Sequence, residues 1–312
     1  MPTDFNELTQ RLPHLVETCR AYATQGRVAT YIPELAHAPQ LALGITLRHK
    51  SGLTATAGDC GIPFTLQSIS KVITLLLALM DRGEQAVFEK VGMEPTGDVF
   101  NSMLKLELVQ PGKPFNPLIN AGAIVVSSLI DGDTAEHKAE RVLRFVRDLA
   151  GDDSPSFNES VFRSEEATAY RNRSLAYFLK DNKVLDQDVE PTLHVYFKQC
   201  AIEVTCAHVA RIGLILANDG VDPSTGRQLV PKRYVRIAKS FMVTCGMYNA
   251  SGEFAIQVGI PAKSGVAGGI LALVPGELGI GIIGPALNDK GNSTAGVHLL
   301  RLLSEQFDWS MF

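Results

Sequence analysis

The pattern of apolar and polar positions gives the chain strand character at both ends and helical character in between. Apolar residues alternate with other residues over positions 41–47, which predicts a strand, and a turn leads to a second predicted strand at 53–57. Near the other end, apolar runs at 269–274 and 278–283 flank Pro-Gly-Glu at 275–277, a hairpin signal. The pattern therefore predicts that the two ends of the chain build one sheet.

Helical spacing of apolar residues dominates the middle of the chain and recurs in an opening segment at 5–25 and in a closing one. The predicted helices after the opening one cover residues 120–130, 135–150, 167–179, 191–200, 205–218, 232–245 and 294–307. This order indicates a sheet lobe made of residues 1–75 and 225–312 and a helical lobe made of residues 76–224. We expect the two to form one interlocked unit with a cleft where they meet.

One segment, residues 63–80, combines an almost wholly apolar helix with two reactive groups at its start. Ser68 and Lys71 are one helical turn apart, so the hydroxyl and the amine share a helix face. A buried lysine can lose its proton, and a neutral amine can then take the serine proton. Alternatively, Ser68 begins the helix and Lys71 is a solvated charge, because Ser-x-x-Lys alone is a weak motif.

Composition excludes several classes of protein. The chain has 312 residues, 46% apolar and 20% charged, with a net charge of −4 and no long basic run, which argues against nucleic-acid binding. Its longest apolar run is too short to cross a membrane, and its polar N-terminus is unlike a secretory signal. Five scattered cysteines form no zinc or redox motif, so we expect reduced thiols, a cytoplasmic protein and no metal.

Further residues have chemical potential. Lys263-Ser264-Gly265 precedes a predicted strand, and together with Ser-x-x-Lys it matches the constellation of penicillin-binding proteins and β-lactamases. By itself it is equally a glycine-rich turn before a buried strand. Asn120 could simply cap a helix, and no Ser-x-Asn or Tyr-x-Asn motif accompanies it, so the penicillin-binding pattern is incomplete.

Other polar residues have structural alternatives as well. Tyr31 and Tyr248 are candidate proton-relay hydroxyls, although each could serve only in packing. Tyr196 lies on an apolar helix face, which favours a core position. Glu165 and Asn172 are seven residues apart, so they share a face if one helix spans both, and a solvated face is the default for such a pair.

Several long motifs stand together in one order: YIPELA, LQSISK, NPLINAGAIVVSSLI, SEEATAYRN, GMY and KSGV. In these motifs the chain closely resembles the serine-dependent glutaminases over nearly its whole length. The resemblance implies an α+β fold like that of serine β-lactamases and penicillin-binding proteins. This fold has an antiparallel sheet built from both chain ends, flanking helices and an inserted all-helical lobe.

The resemblance also implies an activity. It predicts an amidohydrolase that converts L-glutamine to L-glutamate and ammonia without a cofactor, in a homodimer or homotetramer. Ser68 matches the family nucleophile, which forms a γ-glutamyl acyl-enzyme, and Lys71 matches its activating amine. The other matched positions hold the substrate or lie at the reaction centre: Tyr31, Asn120, Glu165, Asn172, Tyr196, Tyr248 and Val266, the last through its backbone N–H in the oxyanion hole.

Two alternatives remain open at the level of sequence. A β-lactamase or esterase of the same fold would use the same serine and lysine, and a sensor could bind or acylate without turnover. A buried Glu165 with Asn172 favours glutamine, because an α-ammonium group requires a carboxylate partner and simple esters or lactams do not.

Overall fold

The computed structural model describes residues 3–96 and 112–312, and its centre is a five-stranded antiparallel sheet with the order β2-β1-β8-β7-β6. A second, three-stranded sheet has the order β3-β5-β4. The strands are β1 (Gly44–His49), β2 (Thr54–Gly58), β3 (Phe64–Thr65), β4 (Ser156–Phe157), β5 (Ile202–Val204), β6 (Ala262–Ser264), β7 (Gly269–Val274) and β8 (Leu278–Ile283). The large sheet thus joins strands from both ends of the chain, which confirms that prediction.

The helices fill the faces of this sheet and the middle of the chain. They are α1 (Phe5–Arg20), α2 (Ser70–Lys90), α3 (Asn120–Ser128), α4 (Ala135–Ala150), α5 (Glu159–Thr168), α6 (Tyr170–Asp181), α7 (Val189–Cys200), α8 (Cys206–Ala217), α9 (Lys232–Cys245), α10 (Ser251–Gln257) and α11 (Thr294–Phe307). Short 3-10 helices include Gln67–Ile69 and Tyr248–Ala250.

The strands at the centre of the large sheet are buried on both faces. Every residue of β7 and β8 is buried, because α1 and α11 cover one face and α8 covers the other. The contact with α8 is very close at the glycines of β8. A Cβ atom at Gly279 would lie 2.0 Å from the Leu214 backbone nitrogen, and one at Gly281 would lie 2.1 Å from the Cys206 carbonyl oxygen. Only glycine therefore permits this packing of helix against strand.

The larger hydrophobic core surrounds the first half of α2. Residues 70–79 of this helix are all buried, and α3, α4, α7 and α9 pack around them. Burial on all sides explains why residues 70–79 are mostly apolar and have no polar face. The helix ends at Lys90 after a break at Gly83, where φ is 78°.

The sequence pattern predicted several boundaries well and missed others. The helices at 135–150, 232–245 and 294–307 and the strands of the 269–283 hairpin have the predicted bounds. The predicted helix at 167–179 corresponds to α6 but starts too early, because the chain breaks at Ala169, and α5 before the break was not predicted. The three-stranded sheet was not predicted.

The division into two lobes stays a prediction. Residues 1–2 of the predicted sheet lobe and 97–111 of the predicted helical lobe lie outside the described residues. Within 3–96 and 112–312, none of the helices has both the length and the apolar content that a membrane span requires.

Candidate active site

Ser68 lies in the short 3-10 helix that leads directly into α2. The segment before Ser68 is held by the small sheet, where β3 pairs with β5 and Leu66 N–H donates to the Ile202 carbonyl at 2.8 Å. Gln67 has a φ of 46°, a left-handed conformation that is uncommon for a residue with a side chain. This turn places Ser68, which is 8% exposed, at the start of the buried helix.

Lys71 is completely buried one turn later, which excludes a solvated charge at this position. Its Nζ donates to Asn120 Oδ1 at 2.6 Å and to the Leu118 carbonyl at 3.4 Å. Burial lowers the pKa of Lys71 to about 8, although the carboxyl group of Glu165 acts in the opposite direction. A neutral amine has two hydrogens, and both carbonyl oxygens can accept one, which leaves the lone pair free to accept a proton.

Among the residues that the structure describes, Tyr248 makes a hydrogen bond with the Ser68 side chain. Burial raises the pKa of Tyr248, and the hydrogen bond with Ser68 opposes this rise. Within the described residues the hydrogen bonds of Lys71 go to Asn120 and Leu118 rather than to Ser68. Lys71 and Ser68 are thus both buried, but the residue in contact with the Ser68 hydroxyl in this structure is Tyr248.

Tyr248 is itself held firmly. It has a φ of 55°, and its hydroxyl donates to the Ser264 carbonyl at 3.1 Å. The same carbonyl accepts a hydrogen bond of 2.6 Å from Lys263 Nζ, which lies 4.4 Å from the centroid of the Tyr248 ring. Lys263 is fully buried, and burial followed by the charge of Lys71 lowers its pKa. The Lys-Ser-Gly strand therefore supports the phenol that contacts Ser68.

Glu165 supplies a buried carboxyl group with spare hydrogen-bonding capacity. Its Oε2 atom is buried and has no hydrogen-bond partner among the described residues. Burial raises the pKa of Glu165 to about 8, opposed by the charge of Lys71 and a hydrogen bond from Gln67. An unpartnered buried carboxyl oxygen is costly to a folded protein, so it points to a polar group that a ligand would bring.

Asn172 joins the site through Asn120. Asn120 Nδ2 donates to Asn172 Oδ1 at 2.9 Å, while Asn120 Oδ1 accepts from Lys71. The sequence spacing would put Glu165 and Asn172 on one helix face only if a single helix spanned both, and this condition is not met, because Ala169 separates α5 from α6. The bend at Ala169 brings both residues to the site from two helices.

Tyr196 lies on α7 and is 2% exposed, so it belongs to the core. It also lies close enough to Glu165 for the charge of that carboxyl group to act on it. It makes a hydrogen bond with Cys200, one turn later on the same helix. Burial, followed by the charges of Cys200 and Glu165, raises the pKa of Tyr196. The protonated phenol can therefore donate or accept beside the carboxyl group.

Tyr31 and Val266 line one cavity, together with Asn249 and Gly291. Tyr31 is 55% exposed, so it lies at the rim, whereas Val266 is buried. The turn before Val266 packs against the segment that leads to Ser68, since a Cβ atom at Gly265 would lie 2.7 Å from the Leu66 carbonyl oxygen. This close contact brings the Val266 backbone to the same end of the site as Ser68.

Two residues of the candidate site, Gln67 and Cys200, were not predicted from the sequence. Gln67 donates to Glu165, and nothing in its residue type indicates a left-handed conformation. Cys200 contacts both Ser70 and Tyr196, and its spacing of four residues from Tyr196 on a helix was an available signal. No group of three or more histidine, cysteine or acidic residues suited to a metal ion occurs in 3–96 and 112–312.

Comparison with known proteins places this geometry in a family. The model of the family named Glutaminase matches residues 26–312. The chain is 55% identical to the glutaminase of Alkaliphilus metalliredigens over 305 residues, 98% of this chain and all of the relative. The chain belongs to the glutaminase family. The glutaminase of Bacillus mycoides is 56% identical, with 97% of this chain and 98% of the relative covered.

Solved structures of the family agree with the fold. A Bacillus subtilis glutaminase in covalent complex with 5-oxo-L-norleucine, formed by reaction with 6-diazo-5-oxo-L-norleucine, superposes with a TM-score of 0.88. It is 44% identical and covers 97% of this chain and 99% of its own. The glutaminase family has a β-lactamase-like fold, so the fold class predicted from the resemblance is confirmed.

Proposed function

We propose that this protein hydrolyses the side-chain amide of L-glutamine to L-glutamate and ammonia, with Ser68 as nucleophile and Lys71 as its base. The observation that carries the proposal is the fully buried amine of Lys71, one turn from Ser68, with two carbonyl acceptors for its two hydrogens. A base that starts neutral can take a proton from an alcohol, whereas an ammonium group cannot.

The reaction proceeds by acyl transfer. Lys71 takes the proton of Ser68, and the serine oxygen attacks the side-chain amide carbon of glutamine. Ammonia leaves after the amide nitrogen is protonated, and water hydrolyses the γ-glutamyl ester that remains on Ser68. The backbone N–H groups of Ser68 and Val266 bind the developing oxyanion, and each such donor typically contributes about 3–4 kcal/mol in the transition state.

Tyr248 completes the proton path. Its hydroxyl donates to the Ser264 carbonyl, so its oxygen accepts the hydrogen bond from Ser68. For attack, the Ser68 hydroxyl turns from Tyr248 toward the lone pair of Lys71. Tyr248 then donates its own hydroxyl proton to the departing amide nitrogen, and the proton taken up by Lys71 restores the phenol. Tyr31 at the rim closes the substrate cavity over the reaction centre.

The amino-acid end of the substrate is held by groups with matching chemistry. The unpartnered carboxyl oxygen of Glu165 accepts a hydrogen bond from the α-ammonium group, and Asn120, Asn172 and Tyr196 bind the remaining polar atoms. The 5-oxo-L-norleucine bound covalently to the Bacillus subtilis relative supports a glutamine-like substrate. That molecule has the α-amino and α-carboxyl groups of glutamine and a carbonyl at the position of the side-chain amide.

The assay that tests the proposed activity measures ammonia release from glutamine and asparagine and hydrolysis of a chromogenic lactam, side by side. We expect many turnovers per subunit with glutamine and none with the lactam. Lactam hydrolysis without glutamine hydrolysis would instead establish the lactamase alternative. Release of one equivalent of ammonia per subunit would establish a sensor that acylates without turnover.

Replacing Glu165 with glutamine is expected to raise KM for glutamine by about 100-fold and to lower kcat by much less, because the lost interaction is with the non-reacting end of the substrate. A neutral amide cannot offset the charge of a desolvated ammonium group, a difference of a few kcal/mol. Steady-state kinetics of ammonia release measure both parameters.

The matched control is Glu166→Gln, which changes the neighbouring, less buried glutamate. We expect its KM to stay within twofold of the wild-type value. If Glu165→Gln left KM unchanged and reduced only kcat, the carboxyl group would act in the chemical step and its assignment to the ammonium group would be wrong.

We also propose a cytoplasmic homodimer or homotetramer, organised as the sheet lobe and helical lobe defined above. The five cysteines are all free, as expected in a reducing compartment. The subunit number follows from the family resemblance, and light scattering coupled to size-exclusion chromatography determines it.

A further inference from the structure

A second polar cavity, of ≈ 450 Å³, lies away from the candidate active site. It is bounded by the β1–β2 hairpin, by Gly151 at the end of α4, and by α8 and the loop after it. Its charged lining consists of Arg48, Lys50 and Arg211. No aspartate or glutamate is among the described residues that line it. The cavity is therefore a concave surface with cationic walls.

Arg48 is the least satisfied of these cations. Its Nε atom is buried without a hydrogen-bond partner, and its side chain makes no ion pair within the described residues. Burial lowers the pKa of Arg48, and the nearby positive charge of Arg211 lowers it further. Two guanidinium groups thus line the same cavity, near enough for their charges to repel, and one of them has an unused donor.

The acidic groups around the cavity are already engaged. Asp222 pairs with Arg211 at 2.9 Å and also accepts hydrogen bonds from Ser224 and Thr225. Asp152 is the acidic group whose charge reaches Arg48, and it lies 3.4 Å from His208. Within residues 3–96 and 112–312, Lys50 Nζ donates to a carbonyl oxygen, that of Gly276, at 2.5 Å, and forms no ion pair. Positive charge is therefore in excess at the cavity wall.

We propose that this cavity binds a small oxyanion with two negative charges, of the sulfate or phosphate class, between Arg48 and Arg211. The planar fork of a guanidinium group fits two oxygens of such an anion, and Nε is one of the donors of that fork. The ammonium group of Lys50 adds a third positive charge at the entrance. None of these residues belongs to the candidate active site, so this inference stands independently of the proposed function.

Calorimetric titration of the full chain with sodium sulfate and with sodium phosphate tests the proposal, with ionic strength held constant by sodium chloride. We expect one ion bound per subunit in each titration. Arg48→Gln is expected to weaken binding at least tenfold, because it removes the unpaired charge. Ammonia release by this variant should stay within twofold of the wild-type rate, which also shows that it folds.

Arg236→Gln is the control, because Arg236 is an exposed arginine on α9 that does not line the cavity. Lys50→Gln supplies a second variant at an exposed position, expected to weaken binding severalfold, and it decides the question if Arg48→Gln is not folded. Heat of binding that chloride alone reproduces, or sulfate and phosphate affinities unchanged in the folded variants, would overturn the proposal. A selenate soak should place its anomalous peak between the two guanidinium groups.

Discussion

Replacing Ser68 with alanine is expected to reduce kcat for glutamine hydrolysis by roughly 10⁴-fold or more, since loss of a nucleophile removes the covalent route and leaves only the residual effect of binding and oxyanion donors. The substitution deletes one oxygen from a small side chain at the edge of the core. We therefore expect the thermal unfolding midpoint to stay within a few degrees of the wild-type value. Ammonia release and a thermal melt measure the two quantities.

Ser304→Ala is the matched control, because this serine is buried on α11 with its hydroxyl bonded to the Val258 carbonyl at 2.6 Å. It removes a buried hydroxyl far along the chain from α2, and activity should persist. The role of Ser68 would be refuted by a folded Ser68→Ala protein that still turns over glutamine at more than a hundredth of the wild-type rate.

Replacing Lys71 with methionine is expected to lower kcat by about 10³-fold or more, because general-base catalysis typically contributes 10²–10⁴-fold and Lys71 is the proposed base for Ser68. Methionine preserves much of the buried length of lysine and removes the amine. The same Asn120 and Leu118 oxygens lose their donor, so some destabilisation should accompany the change.

The pH dependence gives a second measure of Lys71. Its pKa of about 8 means that the protonated form dominates at lower pH and the neutral base at higher pH. Glu165, also near 8, must lose its proton to pair an ammonium group. We therefore expect kcat/KM to rise as pH increases through about 8. In Glu165→Gln the rise should move to lower pH, because the carboxylate that raises the Lys71 pKa is gone.

Lys138→Met is the control for Lys71→Met. Lys138 is partly buried, and it donates to the Ser128 carbonyl at 3.0 Å outside the site. Tyr248→Phe separates the two candidate bases. If Lys71→Met kept a tenth of the activity while Tyr248→Phe abolished it, the phenol that contacts Ser68 would be the base and Lys71 would serve to position Asn120.

The sequence predicted those parts of the fold whose periodicity is long or whose turn chemistry is strong. The helix at 135–150 has long periodicity and the 269–283 hairpin has strong turn chemistry, and the bounds of both agree with the structure. Strands of two or three residues, such as Phe64–Thr65, have no measurable periodicity, so the small sheet could not be predicted. The predicted helix at 167–179 starts too early, because the helical spacing of apolar residues continues across the bend in the backbone at Ala169.

The family motifs predicted more residues of the candidate site than residue type and spacing did. Residue types alone favoured a solvated face for Glu165 and left a solvated charge open as the alternative for Lys71, whereas both residues are buried. Long-range contacts decide this, because α5, α7 and the turn at Gly265 come from distant parts of the chain. The left-handed conformations of Gln67 and Tyr248 depend on those contacts too, and neither residue type indicates them.

The glycines of β8 determine how the molecule can move. Helix Cys206–Ala217 touches the backbone of the sheet at Gly279 and Gly281, and it directly follows strand Ile202–Val204, which pairs with the segment before Ser68. A wide hinge opening between sheet and helices would separate these backbones and unzip that strand at the same time. Substrate entry must therefore rely on side chains and loops at the rim, while the scaffold behind the serine stays rigid.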